Sequence, residues 1–142
     1  MTPFTSILWP MAALALLTFV VLLIMPFLRV GDVAAGRAKA ADFRYGESED
    51  VPWRTRLFNR NYMNLLELPV LFYAACLIAF VTDDRDALPL GLAWAFVGFR
   101  ALHTLVHVSL NPILIRMALF AASAMTLLAL WVAIFWRLAQ LG

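Results

Sequence analysis

The sequence predicts an all-α integral membrane protein, built as a four-helix bundle in one domain over residues 1–142. Composition is the first reason, because 64% of the 142 residues are hydrophobic, 14% are charged and the mean hydropathy is +0.86. A soluble domain of this size cannot bury so much apolar surface. Charge distribution is the second reason, because four apolar windows of about 20 residues or more are long enough to cross a hydrocarbon core roughly 30 Å thick.

The four windows run from about 4 to 28, 57 to 81, 88 to 110 and 113 to 136. The first contains no charged residue, and Pro10 and Pro26 stand near its ends, where a missing backbone N–H costs least. It lacks a basic start and is longer than the apolar region of a cleaved signal peptide. We therefore expect it to remain in the mature protein, and the four spans leave no room for a soluble catalytic module.

Basic residues predict the orientation, because Lys and Arg near span ends stay on the cytoplasmic side. Segment 29–56 contains six of them, whereas segment 82–86 is mostly acidic. We expect 29–56 to be a cytoplasmic loop with a short Ala-rich surface helix at 32–43, and both termini to lie opposite, with Arg137 as the one dissenting charge. The net charge of +2 reflects basic residues that set the membrane orientation, so no nucleic-acid partner is expected. The sequence contains no residue spacing that predicts a metal site.

Polar side chains recur inside the second and third spans at helical spacing. A charge at the centre of a span costs about 2.5 to 3.5 kcal/mol, so such residues usually face the protein interior and serve a function. Those of the second span stand four and three positions apart and those of the third stand three and four apart, which puts each set on one helix face. The two sets are Arg60, Asn64 and Glu67, and Arg100, His103 and His107.

Two antiparallel helices packed through these faces would place Arg60 level with His107, Asn64 with His103, and Glu67 with Arg100. The last two would form an ion pair near the middle of the bilayer. Such residues can also be interhelical polar contacts worth about 0.6 kcal/mol each, or can bind a ligand. His107 is either a hydrogen-bonding spacer or a general base. Helix tilt could shift the register by one or two residues, and the partners could belong to different subunits.

The segment from Arg60 to Tyr73, RNYMNLLELPVLFY, resembles the second-helix signature of the MAPEG family, the membrane-associated proteins in eicosanoid and glutathione metabolism. Its Pro69 context looks most like a bacterial branch of that family. The third span resembles the family's Gly-Arg-x-x-His-Thr stretch, which begins here with Gly98 and Phe99 before Arg100. Arg116 stands where the family has an arginine after the following turn.

The resemblance implies a MAPEG-like homotrimer in a bacterial inner membrane, with glutathione bound between subunits near the cytoplasmic face. Arg116 would favour the thiolate, and a lipophilic co-substrate would enter from the membrane lipids. The glutathione contacts would be Arg29, Arg60, Asn64, Glu67 and His103, and Arg100 and His107 complete the polar set that we expect to bind the cofactor.

The chain departs from the family pattern at several positions. His107 stands where glutathione-using members have a Tyr in the third helix, and Phe120, with Met117 beside it, stands near the expected Tyr of the fourth. Leu57 and Met63 occupy positions where active members of the family tend to have basic residues. Three functions stay open: a glutathione-dependent transferase or peroxidase for lipophilic substrates, a non-catalytic lipid-binding or accessory membrane protein, and a proton or ion conduit through the polar set.

Overall fold

A computed structural model describes residues 7–44, 46, 48–84, 86–109 and 111–141, the last without its side chain. Four long helices make up most of it, namely α1 (Leu8–Ala34), α2 (Trp53–Val81), α3 (Ala87–Val108) and α4 (Ile113–Leu141). A short 3-10 helix, Ala40–Phe43, lies between α1 and α2. All four long helices are long and apolar enough to cross a membrane, which confirms the predicted fold class. The predicted start of the first span, 4–6, and the predicted end of the third, Leu110, lie outside the described residues.

The segment between the first two spans differs from the prediction. Helix α1 continues through Pro26 to Ala34, and α2 begins at Trp53, so the connection is shorter than 29–56. The expected surface helix at 32–43 is wrong. Its first three residues belong to α1, and Gly36, with a φ of +69°, adopts the left-handed conformation that follows many helix ends.

Each helix buries a stripe of residues at spacings of three and four. On α2 the stripe includes Leu65, Phe72 and Ala79, and on α3 it includes Ala93 and Phe96. The rings of Phe72 and Phe96 stack at the centre of the bundle with centroids 4.6 Å apart. Large apolar side chains cover the outer surface, where a bilayer would contact them. The protein is therefore an integral membrane protein whose outer surface contacts lipid.

A buried carboxylate joins the end of α1 to the start of α2. Asp32 is 6% exposed, and its Oδ2 accepts a hydrogen bond of 2.5 Å from the hydroxyl of Thr55. Its Oδ1 accepts a second one of 3.0 Å from Nε of the exposed Arg37. This contact fixes the depth of α2 relative to α1, which matters because α2 supplies much of the candidate site.

The opposite end of the bundle explains why the basic residue Arg137 lies on the side predicted to be non-cytoplasmic. Arg137, near the end of α4, forms an ion pair of 3.0 Å with Asp84 and another with Asp86, both in the acidic turn between α2 and α3. Its charge is therefore neutralised by the acidic turn and does not oppose the expected orientation.

Candidate functional site

A cavity of about 570 Å³ lies between α2, α3 and α4, toward the end of the bundle that contains the α3–α4 turn. Its wall combines charged and polar groups with thioether and aromatic ones. Helix α2 contributes Arg60, Met63, Asn64 and Glu67, α3 contributes His103 and His107, and α4 contributes Arg116, Met117, Phe120 and Ala121. Six of the eight residues that the sequence suggested for the site thus lie around one cavity, and the two others, Arg29 and Arg100, do not line it.

The polar residues of α2 lie beside its buried stripe. Asn61 and Leu65 are buried, whereas Arg60 and Glu67 are exposed and Asn64 is half-buried. One residue corresponds to about 100° around a helix axis. The face with Arg60, Asn64 and Glu67 is therefore turned by roughly that angle away from α3, toward the gap between α2 and α4.

The predicted ion pair between Glu67 and Arg100 is wrong. Nη2 of Arg100 instead donates a hydrogen bond to the backbone carbonyl of Asn64. The ring of His107 lies beside the backbone of Leu57, although neither ring nitrogen reaches a hydrogen-bond partner in the described chain. Both contacts pair α3 with a position on α2 three residues before the expected one. Glu67 acts on Arg100 only through a longer-range electrostatic interaction.

Arg100 is fully buried behind the cavity wall. Its guanidinium carbon lies 5.8 Å from the centroid of the Phe120 ring, which lies on the wall. Phe120 also packs against His103, with ring centroids 6.0 Å apart. Within the described chain, Nε and Nη1 of Arg100 have no hydrogen-bond partner. Arg100 therefore supports the wall, and Phe120 separates it from the cavity.

Two histidines form the α3 side of the wall. His103 and His107 are each 2% exposed, and their rings stack with centroids 5.5 Å apart. Nδ1 of His103 and both nitrogens of His107 have no hydrogen-bond partner in the part of the chain that the structure describes. Buried polar atoms are usually satisfied. These three nitrogens lie beneath the surface of the cavity and do not face a ligand there.

Arg116 reaches the cavity from the first turn of α4, where Asn111 holds it. Nη1 of Arg116 donates a hydrogen bond of 2.8 Å to Oδ1 of Asn111. Asn111 has a φ of +50°, a conformation that Asn adopts more readily than most residues. The contact between Asn111 and Arg116 was not predicted from the sequence, although the Asn-Pro pair before Arg116 indicates a turn.

Arg29 lies on another side of the bundle, between α1 and α2. Its Nη2 donates a hydrogen bond of 3.4 Å to Oδ1 of Asn59, and its guanidinium carbon lies 5.5 Å from the ring centroid of Phe43. It does not line the cavity.

A polar groove of about 660 Å³ adjoins the cavity, and Arg60 lines both. The other residues that line the groove are Glu49, Trp53, Arg56, Leu57, Asn59 and Asn111. The cavity and the groove together offer guanidinium groups, carboxylates and amides beside thioether and aromatic groups. Such a site suits an elongated ligand with charges of both signs beside an apolar molecule. Among the described residues, no group of three or more His, Cys, Asp or Glu could hold a metal ion.

Comparison with known proteins agrees with this architecture. The model of the MAPEG family matches residues 7–136, which include α1, α2, α3 and most of α4. No curated protein and no solved structure matched the chain. Because the family match spans nearly the whole chain and includes every helix that builds the cavity, the protein belongs to the MAPEG family.

Proposed function

We propose that the protein binds glutathione in this cavity and acts as a glutathione-dependent transferase or peroxidase on lipophilic substrates. One observation carries the proposal: Arg60, Glu67 and Arg116 converge on one cavity whose remaining wall combines an amide and two imidazoles with apolar side chains. Glutathione has two carboxylates, one ammonium group and a thiol, so a site for it needs several cationic donors and at least one carboxylate.

The charged groups can be assigned to the parts of glutathione. Arg60, together with Arg56 of the adjoining groove, binds carboxylates, and Glu67 binds the ammonium group. Arg116 faces the sulfur, where its positive charge favours the thiolate, the nucleophilic form. Asn64 and Nε2 of His103 supply neutral hydrogen bonds.

The apolar wall places the second substrate beside the sulfur. Met63 and Met117 are 48% and 59% exposed on the protomer, so a molecule dissolved in the bilayer can reach them. In the transferase reaction the thiolate attacks an electrophilic carbon, a C–S bond forms, and the leaving group departs with its bonding electrons. The proton of the thiol passes to water at the polar end of the site.

The proposed assembly is a homotrimer in a bacterial inner membrane, with the loop before α2 in the cytoplasm. The cytoplasm keeps glutathione reduced, so the polar end of the cavity would face the pool of its ligand. Because Arg29 lies outside the cavity of its own protomer, it would contribute only to the site of a neighbouring copy.

Isothermal titration of the detergent-purified protein with glutathione tests the proposal. We expect binding at millimolar ligand, and we expect Arg60→Gln and Arg116→Gln each to weaken it by roughly tenfold or more, because a hydrogen bond to a charged group contributes about 1.5 to 3 kcal/mol. Arg137→Gln removes the same charge at the opposite end of the bundle and should leave binding unchanged. Absence of binding to the wild-type protein would overturn the proposal.

A non-catalytic lipid-binding or accessory role is the second candidate. The observation that favours it is the lack of any hydroxyl side chain among the described residues of the cavity wall. Glutathione consumption with a chlorinated aromatic substrate distinguishes the two functions, since an accessory protein would not catalyse the reaction.

The ion conduit is disfavoured, because the described stripe residues from Arg100 toward the acidic turn, such as Phe96, Ala93 and Phe72, are apolar.

A further inference from the structure

The turn between α3 and α4 contains a hydrogen bond that links it to the cavity. Asn111 stands outside the cavity, in the adjoining groove, yet its Oδ1 accepts the 2.8 Å hydrogen bond from Nη1 of Arg116. In the part of the chain that the structure describes, Arg116 makes no other side-chain hydrogen bond or ion pair. The direction of its guanidinium is therefore set by Asn111.

The backbone fixes the amide of Asn111 in place. Its N–H donates a 3.0 Å hydrogen bond to the carbonyl of Val106, and its φ of +50° turns the chain sharply into Pro112. The N–H of Arg116 donates a 3.0 Å hydrogen bond to the carbonyl of Pro112, so α4 begins directly after the turn. The acceptor and the helix that carries the donor are thus parts of one short rigid unit.

Arg side chains lose rotamer freedom when they are ordered. Holding the guanidinium before a ligand arrives reduces that loss on binding. A neutral amide does so without cancelling the positive charge, whereas a carboxylate at the same place would pair with it.

We propose that Asn111 is a positioning residue that aims the guanidinium of Arg116 at the thiol sulfur of glutathione. The inference rests on the proposed function. The bound thiol would also face Arg60 and Glu67 from α2 and His103 and His107 from α3. Those groups stay unchanged in variants of Asn111.

Two substitutions distinguish the role of the Asn111 amide as an acceptor from its role in the backbone turn. Asn111→Gly retains a residue suited to positive φ and removes the acceptor. Asn111→Asp retains an acceptor and offsets the charge of Arg116. Ser109→Ala is the matched control, because its hydroxyl belongs to the same turn but donates to the carbonyl of Leu105 and does not contact Arg116.

The first measurement is the pH titration of the bound thiolate by ultraviolet difference absorbance. We expect Asn111→Gly and Asn111→Asp to raise the pH at which the thiolate forms by about one unit, which is a tenfold change in its population. Affinity for S-methylglutathione, which has no ionisable thiol, should not change, and Ser109→Ala should match the wild type. An unchanged thiol titration in Asn111→Gly, or an equal loss of affinity for both ligands, would overturn the inference.

The second measurement does not need glutathione. Arg116 is labelled with phenylglyoxal and quantified by peptide mass spectrometry, and we expect faster labelling in Asn111→Gly than in the wild type. Equal labelling rates in the wild type and in Asn111→Gly would show that Asn111 does not restrain Arg116. If the wild type does not bind glutathione, the proposed function fails and the role toward a thiol fails with it. Faster labelling would then still support the Asn111 contact.

Discussion

At the scale of the residue, Glu67 and Arg100 are the two charges deepest in the membrane, and they are not partners. Glu67 stands at the middle of α2 and is exposed on the cavity side, whereas Arg100 is fully buried and bonds to the carbonyl of Asn64. The carboxylate is therefore available to a ligand, and the guanidinium has a structural role beneath Phe120.

The separation of these charges predicts a weak energetic coupling. Breaking a buried ion pair destabilises a protein by about 3 to 5 kcal/mol. We expect the effects of Glu67→Gln and Arg100→Gln on stability to add to within about 0.5 kcal/mol, as for residues that do not contact each other. Thermal unfolding in detergent of Glu67→Gln, Arg100→Gln and the double variant gives the coupling. A coupling of several kcal/mol would show that the two residues pair in the membrane.

The members of the candidate site could be predicted from the sequence, but their contacts could not. Spacing alone grouped Arg60, Asn64 and Glu67 on one face and Arg100, His103 and His107 on another, and all of these except Arg100 line one cavity. The partner of a side chain on a neighbouring helix, however, depends on rotation about the helix axis, and one residue changes that rotation by about 100°.

At the scale of the element, the rotation of α2 is set by its apolar half. Leu65, Phe72 and Ala79 are almost fully buried at spacings of seven, and Asn61 continues their stripe at one end. Burial of large side chains such as Phe72 contributes about 1.5 to 3 kcal/mol each, more than polar contacts at the other end. The buried apolar stripe therefore determines which way the polar face of α2 points. This stripe is the sequence feature that would have predicted the rotation of α2.

The contact between α1 and α2 gives a prediction about stability. Thr55→Val keeps the shape of the side chain and removes the donor to the buried carboxylate of Asp32, so we expect a loss of about 1 to 3 kcal/mol. Thr55→Ser should restore most of it. Arg37→Gln breaks an exposed ion pair to the same carboxylate and should cost less than about 1 kcal/mol. Thermal unfolding in detergent compares the three, and equal losses for Thr55→Val and Arg37→Gln would contradict a special role of the buried hydroxyl.

At the scale of the whole molecule, the exposure of Glu67 bears on assembly. A carboxylate at the middle of a membrane span is costly in contact with acyl chains, yet the described protomer leaves this one uncovered. A neighbouring copy that closes the open side of the cavity would remove it from lipid, which supports the proposed homotrimer.

Subunit complementation tests whether a neighbour completes the site. In a trimer with the site at each interface, Arg29→Gln and Arg116→Gln homotrimers lack one group in every site. Mixed trimers contain one interface with both arginines intact. We therefore expect co-expression to restore glutathione turnover that neither variant shows alone. No restoration in isolated mixed trimers would place Arg29 outside the site.

Orientation can be tested because the single native thiol is hidden. Cys76 is fully buried, so the wild type should resist a maleimide reagent and serve as the background. We expect Asp50→Cys in the first loop to be labelled by an impermeant maleimide only after the membrane is opened, and Asp83→Cys in the acidic turn to be labelled in intact cells, because both side chains are exposed. The reverse pattern would invert the topology.

The four residues 109–112, which connect α3 to the helix that carries Arg116, have a mechanical consequence. A connection this short, together with the most extensive packing between any two helices of the protomer, makes α3 and α4 move as one body. Helix α2 touches α4 far less. An opening motion that admits a large ligand must therefore separate α2 from the α3–α4 pair. His103, His107 and Arg116 keep their relative positions while the entrance widens.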